Sequence, residues 1–347
     1  MRSRRLSWLF APWHVAALAT GAKSFRDNPL IGSPALNRAG LHVARVRLAH
    51  CMAEWRRRRL SALISEEDRT TFERDGFILK PNFLPAADYV ELKQQVLSFP
   101  GPVRHQFQGD AMTRRIALDR QTLASLPALR DLVESPEWLG LLRYVGSFML
   151  EPLVYIQTIF SHVRKAPPDP QTRLHADAFH PSVKAWFFLT DVAEEDGPLI
   201  YVPGSHRPTR RRLAWERRAS MTAAQSTDFQ SSRGSLRITA ERVHRLGFGE
   251  PKAFAVPQNT LVVADTVGFH ARGLGARPSI RVEIWAYGRR NPFLPWLGLD
   301  PAASPFVKGH AVPLYWMAMD IVEGLHLGSN PWRNAGTATP IEYPVIH

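Results

Sequence analysis

The sequence predicts an α+β fold: a double-stranded β-helix, the cupin-like jelly roll, flanked by helices and preceded by a helical N-terminal appendage. Three observations predict it. Short runs rich in β-branched and aromatic residues recur at 152–163, 183–192, 199–202, 260–264 and 280–287. Strands this short and this separated suggest two facing sheets with a pocket between them. Helix-period segments occupy most of 40–149, ahead of those strands. Finally, His175-x-Asp177 stands where a strand should end, and His270 stands between two further strand-like runs.

The 347 residues are read as three parts: an appendage over 1–63, a jelly-roll domain over 64–288 with an insertion at 207–250, and a Pro/Trp-rich extension over 289–347 packed on the domain. Hydrophobic content of 45% suits a sizeable core. One cysteine, Cys51, excludes an internal disulfide framework and fits a reducing, cytoplasmic setting. The net charge of +13 is uneven: residues 1–60 hold twelve basic and two acidic side chains, ten of the excess positive charges. The basic character therefore belongs to the appendage. It points to an anionic surface, such as the headgroups at the inner face of a membrane.

Along the chain, residues 9–22 are apolar but too short to span a bilayer, which needs roughly 20 residues. Arginines precede the run, with Arg4-Arg5 in a twin-arginine outline. The readings are an export signal, an interfacial anchor through Trp8, Phe10 and Trp13, or a docked segment. Residues 40–63 form a helix with Leu41, Ala44, Leu48, Met52 and Trp55 on its apolar face, closed by the run Arg56 to Arg59. Together with the first segment, this run makes peripheral membrane contact or is simply solvated. Ser65 caps a helix with acids in its first turn, Gly76 ends it, and Phe77 to Lys80 is a strand. Pro85 opens a helix whose Tyr89, Leu92, Val96 and Leu97 face a core. Two short helices over 123–149 break near Ser135-Pro136. In the strand at 152–163, Val154, Ile156, Thr158 and Phe160 share one side and Gln157 takes the other. The runs 183–192 and 199–202 are joined by Glu194 to Gly197 and read as a hairpin. The insertion carries Arg210 to Arg212 and Arg217-Arg218, and loops of that length are commonly lids or binding loops. A helix is expected at 312–325, with Trp296, Tyr315 and Trp316 able to wall a pocket or dock the tail.

A histidine and a carboxylate two residues apart on an extended chain point to the same side. With His270 they form a two-histidine, one-carboxylate set, the arrangement of non-haem Fe(II) oxygenases with coordination positions left open. Arg281, eleven residues on, can pair a far carboxylate of 2-oxoglutarate in bidentate fashion. Arg281 alternates with Ile280, Val282 and Ile284, so if those pack outside the barrel it points inside. There a buried guanidinium needs an anion.

The ordered set His175-x-Asp177, Lys184-Ala-Trp186, Gly197-Pro-Leu, Pro203-Gly-Ser-His206, His270 and Arg281 resembles the phytanoyl-CoA dioxygenase family, over roughly 66–288. That resemblance implies Fe(II) held by His175, Asp177 and His270, 2-oxoglutarate held by Arg281, and O2 as the other co-substrate. It also implies that Trp186, the tryptophan of the family's Ala-Trp pair, packs on 2-oxoglutarate; a core tryptophan is the plain alternative. Gln157 is expected to hydrogen-bond co-substrate or substrate. Asp177 argues against a halogenase, where a small residue replaces the carboxylate. His180 is expected near the pocket and His206 in a turn. Arg272 stands where the family tends to place a small polar residue, so it disturbs that contact or reaches an anionic substrate.

The implied activity is hydroxylation of a small molecule, lipid-like or anionic (an acyl compound). The alternatives are a non-catalytic jelly-roll carrier of a lipid or metabolite, and a nucleic-acid demethylase. No nucleic-acid partner is expected, because the charge lies outside the catalytic region and no aromatic-basic strand pattern for stacking bases is present.

Overall fold

Eleven strands build two antiparallel sheets in the computed structural model, which describes residues 11–304 and 306–344. The strands are β1 (Phe77–Lys80), β2 (Gly101–Gln108), β3 (Ala111–Ala117), β4 (Leu153–Phe160), β5 (Val183–Phe188), β6 (Leu199–Tyr201), β7 (Lys252–Ala253), β8 (Thr260–Asp265), β9 (His270–Arg272), β10 (Ile280–Gly288) and β11 (Arg333–Ala338). The large sheet has the order β1-β8-β5-β10-β4-β3-β2-β11, and the small one β7-β6-β9. His175 bridges to His270 and so extends the small sheet beyond β9. From β4 onward the chain crosses between the sheets: β4 large, His175 small, β5 large, β6 and β7 small, β8 large, β9 small, β10 large. That winding is the double-stranded β-helix expected from the sequence.

The central strands of the large sheet are covered on both faces, so they read as near-continuous apolar runs. Ala185, Phe187, Val263, Val282 and Ile284 pack outward against the helices Ala86–Ser98, Pro127–Glu134 and Pro136–Gly146. Their alternate neighbours Trp186, Phe188, Val262 and Trp285 pack inward, with Leu199 and Tyr201 from the small sheet. A fully buried residue such as Phe187 contributes about 1.5–3 kcal/mol to this core.

Two strand readings are corrected. Residues 183–202 do not form a hairpin: β5 pairs with β8 and β10, while β6 pairs with β7 and β9 in the other sheet. The turn Glu194 to Gly197 is a crossover between sheets. The hairpin β2–β3 has no counterpart in the sequence reading; its signal is the turn Gly109-Asp110, with Gly109 at φ 60°.

The N-terminal helix is real, but its buried face is not the apolar stripe read from the sequence. The helix Leu41–Arg59 buries His42, Arg45, Val46, Ala49, His50, Ala53, Arg56 and Arg57, and leaves Leu48 half exposed. Polar side chains win that face because the three arginines and His42 find partners there, while His50 Nε2 is buried without one. Arg56 donates to the carbonyls of Ser147 (2.9 Å), Pro292 (3.1 Å) and Leu294 (2.9 Å), and lies 3.9 Å over the Phe148 ring. Arg57 donates to the carbonyl of Tyr144 (3.2 Å) and to Asp265. Arg45, Arg56 and Arg57 are thus internal cations, not available to lipid headgroups. Trp8, Phe10 and the Arg4-Arg5 pair lie outside the described residues. Trp13 is exposed. Among the described residues no helix is long and apolar enough to cross a membrane.

The insertion is ordered rather than a loop. It contributes the helices Arg210–Thr222, Phe229–Ser232 and Ala240–Arg245. Arg212 is buried in it, donating to Glu216 Oε1 at 2.9 Å, with His42 Nε2 at 2.9 Å from Glu216 Oε2. Burial alone would raise the Glu216 carboxyl; Arg212 and His42 outweigh it and hold it at about 2. Helix Ala311–Gly324 forms as expected, and β11 adds the last strand to the large sheet.

Candidate metal centre and active site

His175 and His270 are a hydrogen-bonded antiparallel pair. Each backbone N–H donates to the other's carbonyl at 2.9 Å. Opposed residues of an antiparallel pair project to the same face, and here the imidazole centroids are 4.5 Å apart. Asp177 lies two residues beyond His175 and is held by its backbone N–H to the carbonyl of Thr266 at 3.0 Å. The turn 265–270 therefore touches all three residues.

The donor atoms converge. Asp177 Oδ1 is 3.6 Å from His175 Nε2, and Asp177 Oδ2 is 3.6 Å from His270 Nε2. Donors each about 2.1 Å from one ion lie at most about 4.2 Å apart, so both spacings admit a shared ion. The tautomers are set from behind. His175 Nδ1 lies 2.8 Å from the carbonyl of Arg173 and His270 Nδ1 2.9 Å from that of Gly268, so each Nδ1 carries the proton and each Nε2 presents a lone pair. His270 Nε2 and Asp177 Oδ2 are buried and have no hydrogen-bond partner. Burial lowers His270 to about 3 and lowers His175 as well. Burial alone would raise Asp177; Lys184, His270 and His175 outweigh it and hold it well below the usual carboxylate range. Two neutral imidazoles and one carboxylate are the protonation states a metal requires. The residues fit a divalent ion such as Fe(II), and among the described residues they are the one such group. Lys184 Nζ sits 2.6 Å from Asp177 Oδ2, close in charge but off the line of a hydrogen bond.

The triad opens onto a cavity of about 650 Å³ between the sheets. Arg281, Trp285 and Tyr287 reach it from the inner face of β10, while Val282, Ile284 and Ala286 face the helices. Arg281 is buried; its Nη1 donates to the carbonyl of Gly197 at 2.7 Å and its Nε lies 3.1 Å from Glu283 Oε2, again off-line. Gln157, opposite Glu283 on β4, donates to Glu283 Oε1 at 2.6 Å and accepts from Arg115 Nε at 2.8 Å. Trp186 is buried and lines the cavity. All six residues singled out in the sequence thus border one cavity.

The rest sort differently. Arg272 lines the cavity but is matched by Asp169 Oδ2 at 2.6 Å. His180 is fully buried, donates from Nδ1 to the carbonyl of Pro181 (2.9 Å), and does not border the cavity. His206 packs on Phe72, 5.4 Å between centroids, away from the triad. Tyr315 and Trp316 line the cavity; Trp296 does not. None of Arg210, Arg211, Arg212, Arg217 and Arg218 lines it, so these arginines put no charge on the cavity wall. Three cations on its wall escaped the sequence reading: Lys23, Arg115 and Arg289. Arg115 was recoverable from the Gly109-Asp110 hairpin. Lys23 had no local signal, being 154 residues from the group it touches. Burial pulls the Lys23 ammonium down to about 8, against Asp177.

Several solved structures share part of this architecture. The non-heme alpha ketoglutarate dependent carbocyclase SnoK from nogalamycin biosynthesis is 20% identical, covering 66% of this chain and 84% of its own, with a TM-score of 0.41. HygX from Streptomyces hygroscopicus, solved with nickel and 2-oxoglutarate bound, is 17% identical over 71% of this chain and 94% of its own, with a TM-score of 0.43. EctD from S. alaskensis with bound Fe is 17% identical over 65% and 77%, with a TM-score of 0.39. With TM-scores this low, none of them bears on the site. No curated protein matches the chain. A family model does match: phytanoyl-CoA dioxygenase (PhyH), over residues 72–242. The matched segment contains His175 and Asp177 and stops short of His270 and Arg281, which the fold delivers to the same cavity. The domain at the centre of this chain is a phytanoyl-CoA dioxygenase family domain.

Proposed function

We propose that the protein is an Fe(II)- and 2-oxoglutarate-dependent oxygenase that hydroxylates a small-molecule substrate, anionic or lipid-like, in this cavity. The observation that carries the reading is the convergence of two Nε2 lone pairs and one carboxylate, with Arg281 on the wall of the same cavity. Bound iron would supply the redox chemistry: 2-oxoglutarate, O2 and R–H become succinate, CO2 and R–OH, with one oxygen atom in succinate and one in the product. The protein's part is positioning. His175, Asp177 and His270 would hold the ion on one side only. Arg281 has donors beyond those facing Gly197 and Glu283, and these would take the far carboxylate of 2-oxoglutarate. Gln157 would orient that arginine through Glu283, and Trp186 would wall the chelate. Tyr155, Trp285 and Tyr315 offer apolar and planar surface to the substrate. Ferrous iron and the exposed thiol of Cys51 both suit a reducing compartment.

The Arg281–Glu283 contact favours a second reading, a non-catalytic binding protein, because it leaves the arginine already partly neutralised. The two readings separate in one assay: succinate release by anaerobically Fe(II)-loaded protein given 2-oxoglutarate and then O2, alone and with acyl-CoAs, fatty acids and polar carboxylates. Iron-dependent succinate that His175→Ala abolishes is the expected result. Bound iron and bound 2-oxoglutarate with no succinate under any condition would remove the oxygenase in favour of the carrier.

A further inference from the structure

Six cations line the cavity: Lys23, Arg115, Lys184, Arg272, Arg281 and Arg289. Three have a carboxylate beside them. Lys184 faces Asp177, Arg272 faces Asp169 and Arg281 faces Glu283. Arg115 is met by ring faces, lying 4.7 Å over Tyr155, 4.1 Å over Trp285 and 4.4 Å over Trp332. Among the described residues Lys23 and Arg289 are in contact with no carboxylate oxygen, although the charge of Asp177 reaches Lys23. Lys23 Nζ donates to the backbone carbonyl of Asp177 and has two further donors. Arg289 has no carboxylate or hydrogen-bond partner among the described residues and lies close enough to Lys23 to oppose its charge. Lysines ordinarily extend their ammonium to water; this one extends it into the cavity beside the triad.

The segment carrying Lys23 is fastened to the barrel for that purpose. Arg45, on the helix Leu41–Arg59, donates to three of its carbonyls: Leu18 (3.1 Å), Thr20 (2.9 Å) and Ala22 (2.7 Å). Its guanidinium lies 4.2 Å over Phe179, two residues from Asp177. Asn291 donates to the carbonyl of Ala19 at 3.0 Å, and Arg26 N–H to that of Ser232 at 3.0 Å. On the opposite side Gly234 (φ 86°) makes room: a Cβ there would stand 2.2 Å from the Lys23 carbonyl oxygen. A flexible lysine is thereby presented from a backbone fixed on both sides.

We propose that Lys23 and Arg289 form an anion subsite that holds the carboxylate or phosphate group of the substrate beside the metal triad, with Arg45 as the residue that positions Lys23. Two like charges on the wall of one low-dielectric cavity repel each other, and an oxyanion between them relieves both. Charge balance agrees. A divalent ion and a dicarboxylate cancel each other, so the charges of Arg115, Lys23 and Arg289 stay unbalanced, and of these three only Arg115 is covered by ring faces. The proposal rests on the oxygenase reading for the identity of the neighbouring ligands, and it makes the N-terminal segment part of the active site.

The test is binding to the full chain loaded with Mn(II), which takes the ferrous site without turnover, and with N-oxalylglycine in place of 2-oxoglutarate. Octanoate, octyl phosphate and uncharged octanol are titrated by calorimetry. At least one anion should bind about tenfold more tightly than octanol, the scale of one charge-assisted hydrogen bond. Lys23→Gln and Arg289→Gln should each remove most of that margin, Lys23→Arg should restore it, and Arg45→Gln should weaken it with Lys23 intact. Which anion binds distinguishes a carboxylate from a phosphate substrate. No preference for either anion over octanol, or none lost in Lys23→Gln, overturns the subsite. If Lys23→Gln instead weakens N-oxalylglycine, Lys23 belongs to the co-substrate and the proposal fails. A wild-type protein that binds Mn(II) but not N-oxalylglycine would refute the oxygenase reading rather than the subsite.

Discussion

Arg57 Nη2 donates to Asp265 Oδ2 at 2.8 Å, joining the N-terminal helix to the last residue of β8. Asp265 Oδ1 in turn accepts from the backbone N–H of Ser182 (3.0 Å) and Val267 (3.1 Å), so one carboxylate organises the turn that leads to His270. Removing one partner of a buried ion pair leaves the other uncompensated. Arg57→Met is expected to cost about 3–5 kcal/mol, read as a lower midpoint in urea denaturation. Arg58→Met, one residue on and exposed, should stay within about 0.5 kcal/mol. Equal effects of the two would mean that the run Arg56 to Arg59 is a solvated charge cluster after all.

His175→Ala, Asp177→Asn and His270→Ala should each weaken Mn(II) binding by at least about a hundredfold, since even partners behind a ligand can be worth that much. The measurement is metal titration by calorimetry, with circular dichroism showing that the fold persists. Retention of wild-type affinity in any one of them would take that residue out of the triad.

Arg281→Met should weaken binding of 2-oxoglutarate by about tenfold to a hundredfold, the range of hydrogen bonds to charged groups. Glu283→Gln should act in the opposite direction. It keeps a side chain that can bond Gln157 but removes the charge beside Arg281, so 2-oxoglutarate should bind severalfold more tightly. Weaker binding in Glu283→Gln would show instead that the carboxylate is needed to aim the guanidinium.

Glu216 predicts a pH dependence of stability. Its pKa is depressed in the folded state, so its contribution is present above the unfolded value near 4.5 and is lost as pH falls towards about 2. Over that window the loss is about 3 kcal/mol for this buried group. Glu216→Gln should be less stable at pH 7 and should lose this part of the acid dependence, measured as Tm between pH 7 and 2. A wild-type Tm that is flat below pH 4.5 would place the acid sensitivity elsewhere.

Much of the architecture was legible because local chemistry and packing agree. Ser65 and Gly76 bound a helix by capping physics alone. The two-residue period of β4 and β10 announced which side chains face inward, and Gln157 and Arg281 line the cavity while Ile156 and Val282 do not. The crossover at 193–198 was misread because a turn looks the same whether its strands pair with each other or with distant ones. The face of the helix Leu41–Arg59 was misread because apolar periodicity assumes that polar residues stay outside, and Arg45, Arg56 and Arg57 go inside to meet carbonyls contributed by remote segments.

By itself the sequence determined the candidate metal-binding residue types, their strand-end spacing and the double-stranded β-helix as a fold class, since each follows from short-range pattern: i to i+2 projection, turn residues and apolar runs. Tertiary structure alone decided that His175 and His270 are cross-strand partners, that Arg281 shares its charge with Glu283, and that Lys23 reaches Asp177 from an N-terminal segment. The His175–His270 and Lys23–Asp177 contacts join residues up to 154 apart, and their acceptors are backbone carbonyls that any residue type can supply. No sequence pattern marks them, because what selects them is position in space.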